Sequence, residues 1–207
     1  MALSRRTVWI LVAVGVALGV LAALLIGFMW FLSSPERATP FIRGQIDSRT
    51  ERSVTLSSGW VDWDWKPVLR LRAIALEDKG EAGIMDLRLD PFGVLIGQRL
   101  VEHANIEAAA YRATLGRGGS GPPPLLSHVA SVDMRQVRLD LERANRPPSR
   151  LFIARGQGDL RSGDFRAEGR GGNADLTLRG RAAGLTLDGF EGELTVSGPN
   201  FPEFADL

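Results

Sequence analysis

Trp60-Val-Asp-Trp-Asp-Trp65 places three of the chain's five tryptophans in six residues and interleaves them with two aspartates. A period of two is the mark of an extended strand, whose side chains point alternately to opposite faces. The reading puts Val61, Trp63 and Trp65 on one face and Asp62 and Asp64 on the other. One face is therefore apolar and the other wet, the pattern of a one-sided antiparallel sheet.

The same period continues on both sides of this stretch. Val54 and Leu56 alternate with polar neighbours, and so do Leu69/Leu71, Met85/Leu87/Leu89 and Val137/Leu139/Leu141. Leu176/Leu178, Leu185/Leu187 and Leu194/Val196 follow the same rule. Turn signals separate them: D78-K-G80, E81-A-G83, N145-R-P-P148, R161-S-G-D164, G171-G-N173 and D188-G189. Short strands at this spacing predict a mainly β, antiparallel structure. D90-P-F-G-V-L-I-G-Q-R99 breaks the alternation and predicts a turn or short helix after Pro91. G116-R-G-G-S-G-P-P-P124 is a linker by composition. It divides a first β segment (33–115) from a second (125–207). One sheet is expected across both, because each half alone offers few large apolar residues.

Upstream the pattern is different. Val8 to Leu32 carries no charge. As a helix it spans about 37 Å, enough for a hydrocarbon core of about 30 Å. Trp9 and Trp30 fall about 32 Å apart along such a helix, where interfacial aromatics sit. Arg5 and Arg6 precede the span, so residues 1–7 are expected in the cytoplasm and the bulk of the chain outside. The run is longer than the apolar part of a signal peptide, and no small-x-small cleavage site follows it. Gly15, Gly19, Ala23 and Gly27 recur every four residues, a stripe on which a second helix can pack closely. After Pro35, T39-P-F-I-R-G-Q-I-D-S-R49 predicts a short helix with Pro40 in its first turn.

Composition excludes several functions. A formal charge of +1 creates no field for nucleic acid. Without cysteine there is no disulfide and no thiolate metal site. The two histidines, His103 and His128, have no partner at metal-binding spacing, and no serine lies in a nucleophile-elbow motif. No catalytic residue, metal or cofactor is expected. Three readings of the tryptophan ladder stay open: sealed core, a groove filled by lipid chains, or contact with the bilayer interface. Burying one such ring is worth about 2–3 kcal/mol whichever partner covers it.

The order of parts resembles the N-terminal region of the AsmA family of bacterial envelope proteins. The residues that carry the resemblance are R49-T-E-R-S-V-T-L56, W65-K-P-V-L-R-L-R-A-I-A-L-E77 and D90-P-F-G-V-L-I-G-Q-R99 with the strand that follows. F165-R-A-E-G-R170 and L185-T-L-D-G-F-E-G-E-L-T-V196 resemble the family's repeating strand pairs. The resemblance implies an inner-membrane-anchored periplasmic protein that supports outer-membrane biogenesis. It also implies phospholipid as the partner, held along an apolar β groove made by a strongly twisted, open or half-barrel sheet. Candidate groove residues are Val61, Trp63, Trp65, Leu87, Leu89, Val137, Leu139 and Leu141. E203-F-A-D-L207 is where family members continue, so the chain reads as a short or truncated member. The alternative is a bitopic periplasmic β-domain adaptor, LptC-like or part of a secretion system, that binds envelope proteins through strand edges. A continuous apolar lane through Val61, Trp63, Leu87 and Leu139 is what the groove requires.

Overall fold

The structure, a computed structural model, describes residues 5–50, 54–76, 80–95, 99–115, 129–143, 146–182 and 190–198. Helix α1 (Arg5–Ser33) leads into α2 (Pro35–Thr50). Among the described residues nine strands follow, interrupted by a short helix α3 (Pro91–Leu95). They are β1 (Val54–Asp62), β2 (Val68–Leu76), β3 (Gly80–Leu89), β4 (Val101–Leu115), β5 (Val129–Arg143), β6 (Arg146–Asp159), β7 (Asp164–Gly171), β8 (Ala174–Ala182) and β9 (Phe190–Ser197). They form one open sheet in chain order. The expected linker at 116–124, the pair Leu185/Leu187, His128 and the segment 199–207 lie outside the described residues.

Every strand pair is antiparallel except one. β4 and β5 run parallel, from Val101↔Val129 to Leu115↔Arg143. The mainly β, open and mostly antiparallel sheet is the one expected from the sequence, and this pair is the exception to it. Adjacent antiparallel strands need only a tight turn, but a parallel neighbour needs a return over the full strand length. The composition of 116–124 gave no sign of this direction.

α1 is long and apolar enough to cross a membrane, and residues 14–30 of it are exposed on the protein. The break after it is made by Ser34 and Pro35. The Ser34 carbonyl accepts the Ala38 N–H at 2.9 Å, and Pro35 occupies the first helical position, where its missing N–H is no loss. The second helix thus begins four residues before the expected Thr39, and Pro40 lies inside it.

α2 covers the outer edge of β1. The Gly59 N–H donates to Thr39 Oγ1 at 2.9 Å, and the Val54 N–H donates to Asp47 Oδ1 at 3.1 Å. Edge backbone that would recruit another strand is thereby occupied by helix side chains. Gly59 permits the approach, since a Cβ there would meet Leu56, Leu71 and Ile42 at 3.1–3.3 Å. Beneath α2 lies the main core: Val54, Leu56, Val61, Leu71, Ile74 and Ala82 from the sheet, with Leu32, Ala38 and Ile42 from the helices.

An irregularity crosses the sheet. Ser57, Ala73, Gly83, Ala108, Gln136 and Ala154 occupy one row and have no register partner. Ala73, Ala108 and Gln136 adopt φ of 47°, 54° and 54°, in the left-handed region. Each strand therefore skips one step of its alternation, and the apolar face resumes three residues on: Leu71 to Ile74, Met134 to Val137. In β6 the skip is a one-residue bulge beside Ile153 and Arg155. Gly169 of β7 stands opposite it, where a Cβ would fall 2.0 Å from the Phe152 carbonyl oxygen. Gly169→Ala is expected to destabilise the sheet by about 2 kcal/mol through backbone displacement. A wild-type thermal midpoint would show that β6 and β7 are not so close.

Candidate functional site

Residues paired across neighbouring strands share a face, so the register defines both surfaces of the sheet. One row runs Val61, Leu69, Leu87, Ala104, Val132, Gly158, Phe165, Gly180 and Gly192. The next on that face runs Gly59, Leu71, Met85, Ile106, Met134, Gly156, Ala167, Leu178 and Leu194. Past the irregular row, Val137 pairs with Ile153 and Leu139 with Leu151, and Leu141 follows on the same face. No polar side chain interrupts either complete row. The row between them, on the opposite face, runs Trp60, Arg70, Asp86, Asn105, Asp133, Gln157, Arg166, Arg179 and Glu193.

The apolar face has two regimes. Over β1–β3 it is sealed by α2, and Val61 and Leu71 belong to that core. Farther on, Val101, Ala104, Val129 and Val132 bury one another, with Leu87, Leu89, Ile106 and Met134 against them. Over β5–β9 no helix lies on it among the described residues. Leu139, Leu141, Leu151, Phe165, Leu176 and Leu178 remain half-exposed, and Leu194 is 59% exposed.

The sequence-predicted residues divide accordingly. Val61, Leu87, Leu89, Val137, Leu139 and Leu141 share the apolar face. Trp63 and Trp65 lie past the strand, since β1 ends at Asp62 and both belong to the turn before β2; Trp63 still packs on the core that holds Val61, and the ladder is corrected only at Trp65. Trp63 packs on the core beneath α2 and donates its indole N–H to the Met29 carbonyl of α1 at 3.0 Å. Trp65 is 87% exposed. Asp62 is paired with Arg70 at 2.9 Å on the polar face, and Asp64 accepts the Trp65 N–H. Gly15, Gly19, Ala23 and Gly27 lie along exposed α1, with open space beside each glycine. Trp30 is exposed under the Arg37 guanidinium, 3.5 Å from the ring centre. Trp9 lies on α1, in a part of it whose side chains are outside the described residues. Met134, Ile153, Phe165 and Leu151 were not singled out in sequence. The three-residue spacing Met134 to Val137 was the available signal.

The polar face offers different chemistry. Its open depression of about 680 Å³ is lined by Glu107, Asp133, Glu168, Arg135, Arg155 and Arg166, a balanced set of charges. Arg72 and Asp86 pair at 2.7 Å. His103 Nδ1 lies 2.9 Å from Ser131 Oγ, and Nε2 lies 3.5 Å from Asp133. The Ser131 proton is committed to the Glu102 carbonyl at 2.9 Å. No cluster of three or more metal-ligating side chains occurs among the described residues.

At the end of the sheet next to α1, Lys66 ties two turns together. Its Nζ lies 2.7 Å from Glu102 and 3.4 Å from Asp90. Hydrogen bonding to Glu102, then to Asp90, holds the Lys66 pKa above its usual value. The Gly93 backbone N–H, then Lys66, holds the Asp90 carboxyl below the usual carboxylate range. The Asp90 contribution is thus full above the ordinary carboxylate pKa and lost as pH falls through the lowered one. That of Lys66 is full below the ordinary lysine pKa and lost as pH rises through the raised one. The tie therefore holds throughout the neutral range. The chain matches no known family model, and no curated protein matches it.

Proposed function

We propose that this chain is an AsmA-like envelope protein, anchored in a bacterial inner membrane by α1 with its sheet in the periplasm. In this reading it binds or conducts phospholipid along the apolar face and so supports outer-membrane biogenesis. It performs no catalytic step. The observation that carries the reading is the uninterrupted apolar face, on which no helix lies over β5–β9 among the described residues. About 25 cal/mol is gained per Å² of apolar surface removed from water, so such a face favours an acyl chain, and the wet reverse face keeps the sheet soluble.

A photo-crosslinking amino acid at position 139, in the intact chain in cells with radioactive phosphate in their lipids, tests it. Label is expected at 139 and not at 138, which faces the other way. Equal label at both, or none at either, would sink the reading. The adaptor reading draws on a different observation: β9 is the last strand of the sheet, and its outer edge has no partner strand among the described residues. Crosslinks from position 195 to a protein, without lipid label at 139, would favour it.

A further inference from the structure

The end of the sheet beside α1 carries its own apolar surface, separate from the long face. Trp65 is 87% exposed and Phe92, in α3, is 72% exposed; Val94 and Leu100 are exposed beside it. These side chains come from two turns that are held as one body. Lys66 bridges to Asp90 and Glu102, the Leu89 N–H donates to the Pro67 carbonyl at 2.8 Å, and the Asp90 N–H donates to the Leu100 carbonyl at 2.8 Å. The body is fixed to α1 through Trp63, whose indole N–H reaches the Met29 carbonyl.

That bond sets a depth. If Val8 lies at the cytoplasmic boundary, about 20 residues of helix cross the hydrocarbon core and Met29 and Trp30 emerge at the outer interface. Trp63 is therefore at the level of the lipid headgroups, and Trp65 and Phe92 belong to the same end of the sheet. Exposed aromatics beside charged and polar groups are what the interface selects. Rings left in water at this position have no other account in the fold, since the core beneath α2 is complete without them.

We infer that the turn 63–67 and helix α3 form a second bilayer contact, in which Trp65, Phe92, Val94 and Leu100 insert into the outer leaflet of the membrane that α1 spans. The contact fixes the tilt of the sheet and sets the Leu89–Val101–Val129 end of the apolar face against the lipid. The inference rests on α1 as a span, and not on lipid occupying the long face.

The chain has no cysteine, so single cysteines can carry nitroxides. The full chain is reconstituted in vesicles of phosphatidylethanolamine and phosphatidylglycerol with a label at 20, 65, 92 or 173. Accessibility to oxygen and to a water-soluble nickel chelate is then compared. Asn173, in the β7–β8 turn at the far end of the sheet, is the aqueous reference. The oxygen-to-nickel ratio at 65 and 92 is expected to be several-fold above that at 173, in the direction of Val20 within α1. A ratio at 92 equal to that at 173, with Val20 in lipid, overturns the contact and leaves the span intact. Protection of 92 from both reagents means a protein covers it, and also overturns the contact. A water-exposed Val20 removes the span and the inference with it. Lipid label at 139 is read independently, so the proposed function and this contact can fail separately.

Discussion

Leu151→Asp is expected to leave the sheet folded and to cut phospholipid label at position 139 by tenfold or more. Leu151 stands directly opposite Leu139 on the apolar face, and both are half-exposed. In water the new carboxylate keeps its hydration, so the fold loses little. Against acyl chains it is unfavourable by roughly 2.5–3.5 kcal/mol, and each 1.4 kcal/mol or so is tenfold in occupancy. The two readouts are crosslinking yield at 139 and far-ultraviolet circular dichroism of the same variant. Retained β-structure with lost label supports a lipid face. Loss of β-structure would instead mean that a second layer seals this face, and would count against the conduit.

The reverse result is expected for Leu71→Asp, although Leu71 belongs to the same surface. Leu71 is 3% exposed, and it crowds Gly59 together with Leu56 and with Ile42 of α2. A carboxylate at this point would stand among Leu56, Ile42 and the rest of the apolar core, almost wholly shielded from solvent. Burying it unpaired costs several kcal/mol, or drives its protonation. A domain's whole stability is about 5–15 kcal/mol, so cooperative unfolding of the β1–β3 region should be lost or shifted far down. Limited proteolysis and thermal unfolding read this without lipid. A midpoint close to that of the unaltered chain would show that α2 does not cover β2. Together the two substitutions divide one face into a part that holds the protein together and a part left over.

That division was not visible in the sequence. The alternation at Val137/Leu139/Leu141 was legible because a single strand shows both of its faces locally. The helix after Pro91 was legible because proline and the broken period mark it. Which stretch of the apolar face receives a cover depends on where α2 docks, and this is set by Thr39 and Asp47 reaching β1 from another element. The tryptophan ladder was legible only in part, for the same reason. Trp63 continues the period of Val61 and joins its core, but the strand ends at Asp62 and Trp65 is left exposed. The irregular row was half-legible. Three-residue gaps such as Leu71 to Ile74 are in the sequence, but only register shows that they align across the strands.

The parallel seam between β4 and β5 also has a consequence for how the sheet assembles. Antiparallel neighbours such as β2–β3 and β7–β8 are joined by short connections, and such pairs close fast. The seam needs a longer loop to close before any of its bonds form, which is slower. Folding is therefore expected to yield two partial sheets, β1–β4 beneath α2 and β5–β9, that join last. Pulse-labelled hydrogen exchange should find β2–β3 amides protected before those between β4 and β5. Until then β4 presents a long unpaired edge, so the newly made chain is most open to mispairing in its middle, far from either terminus.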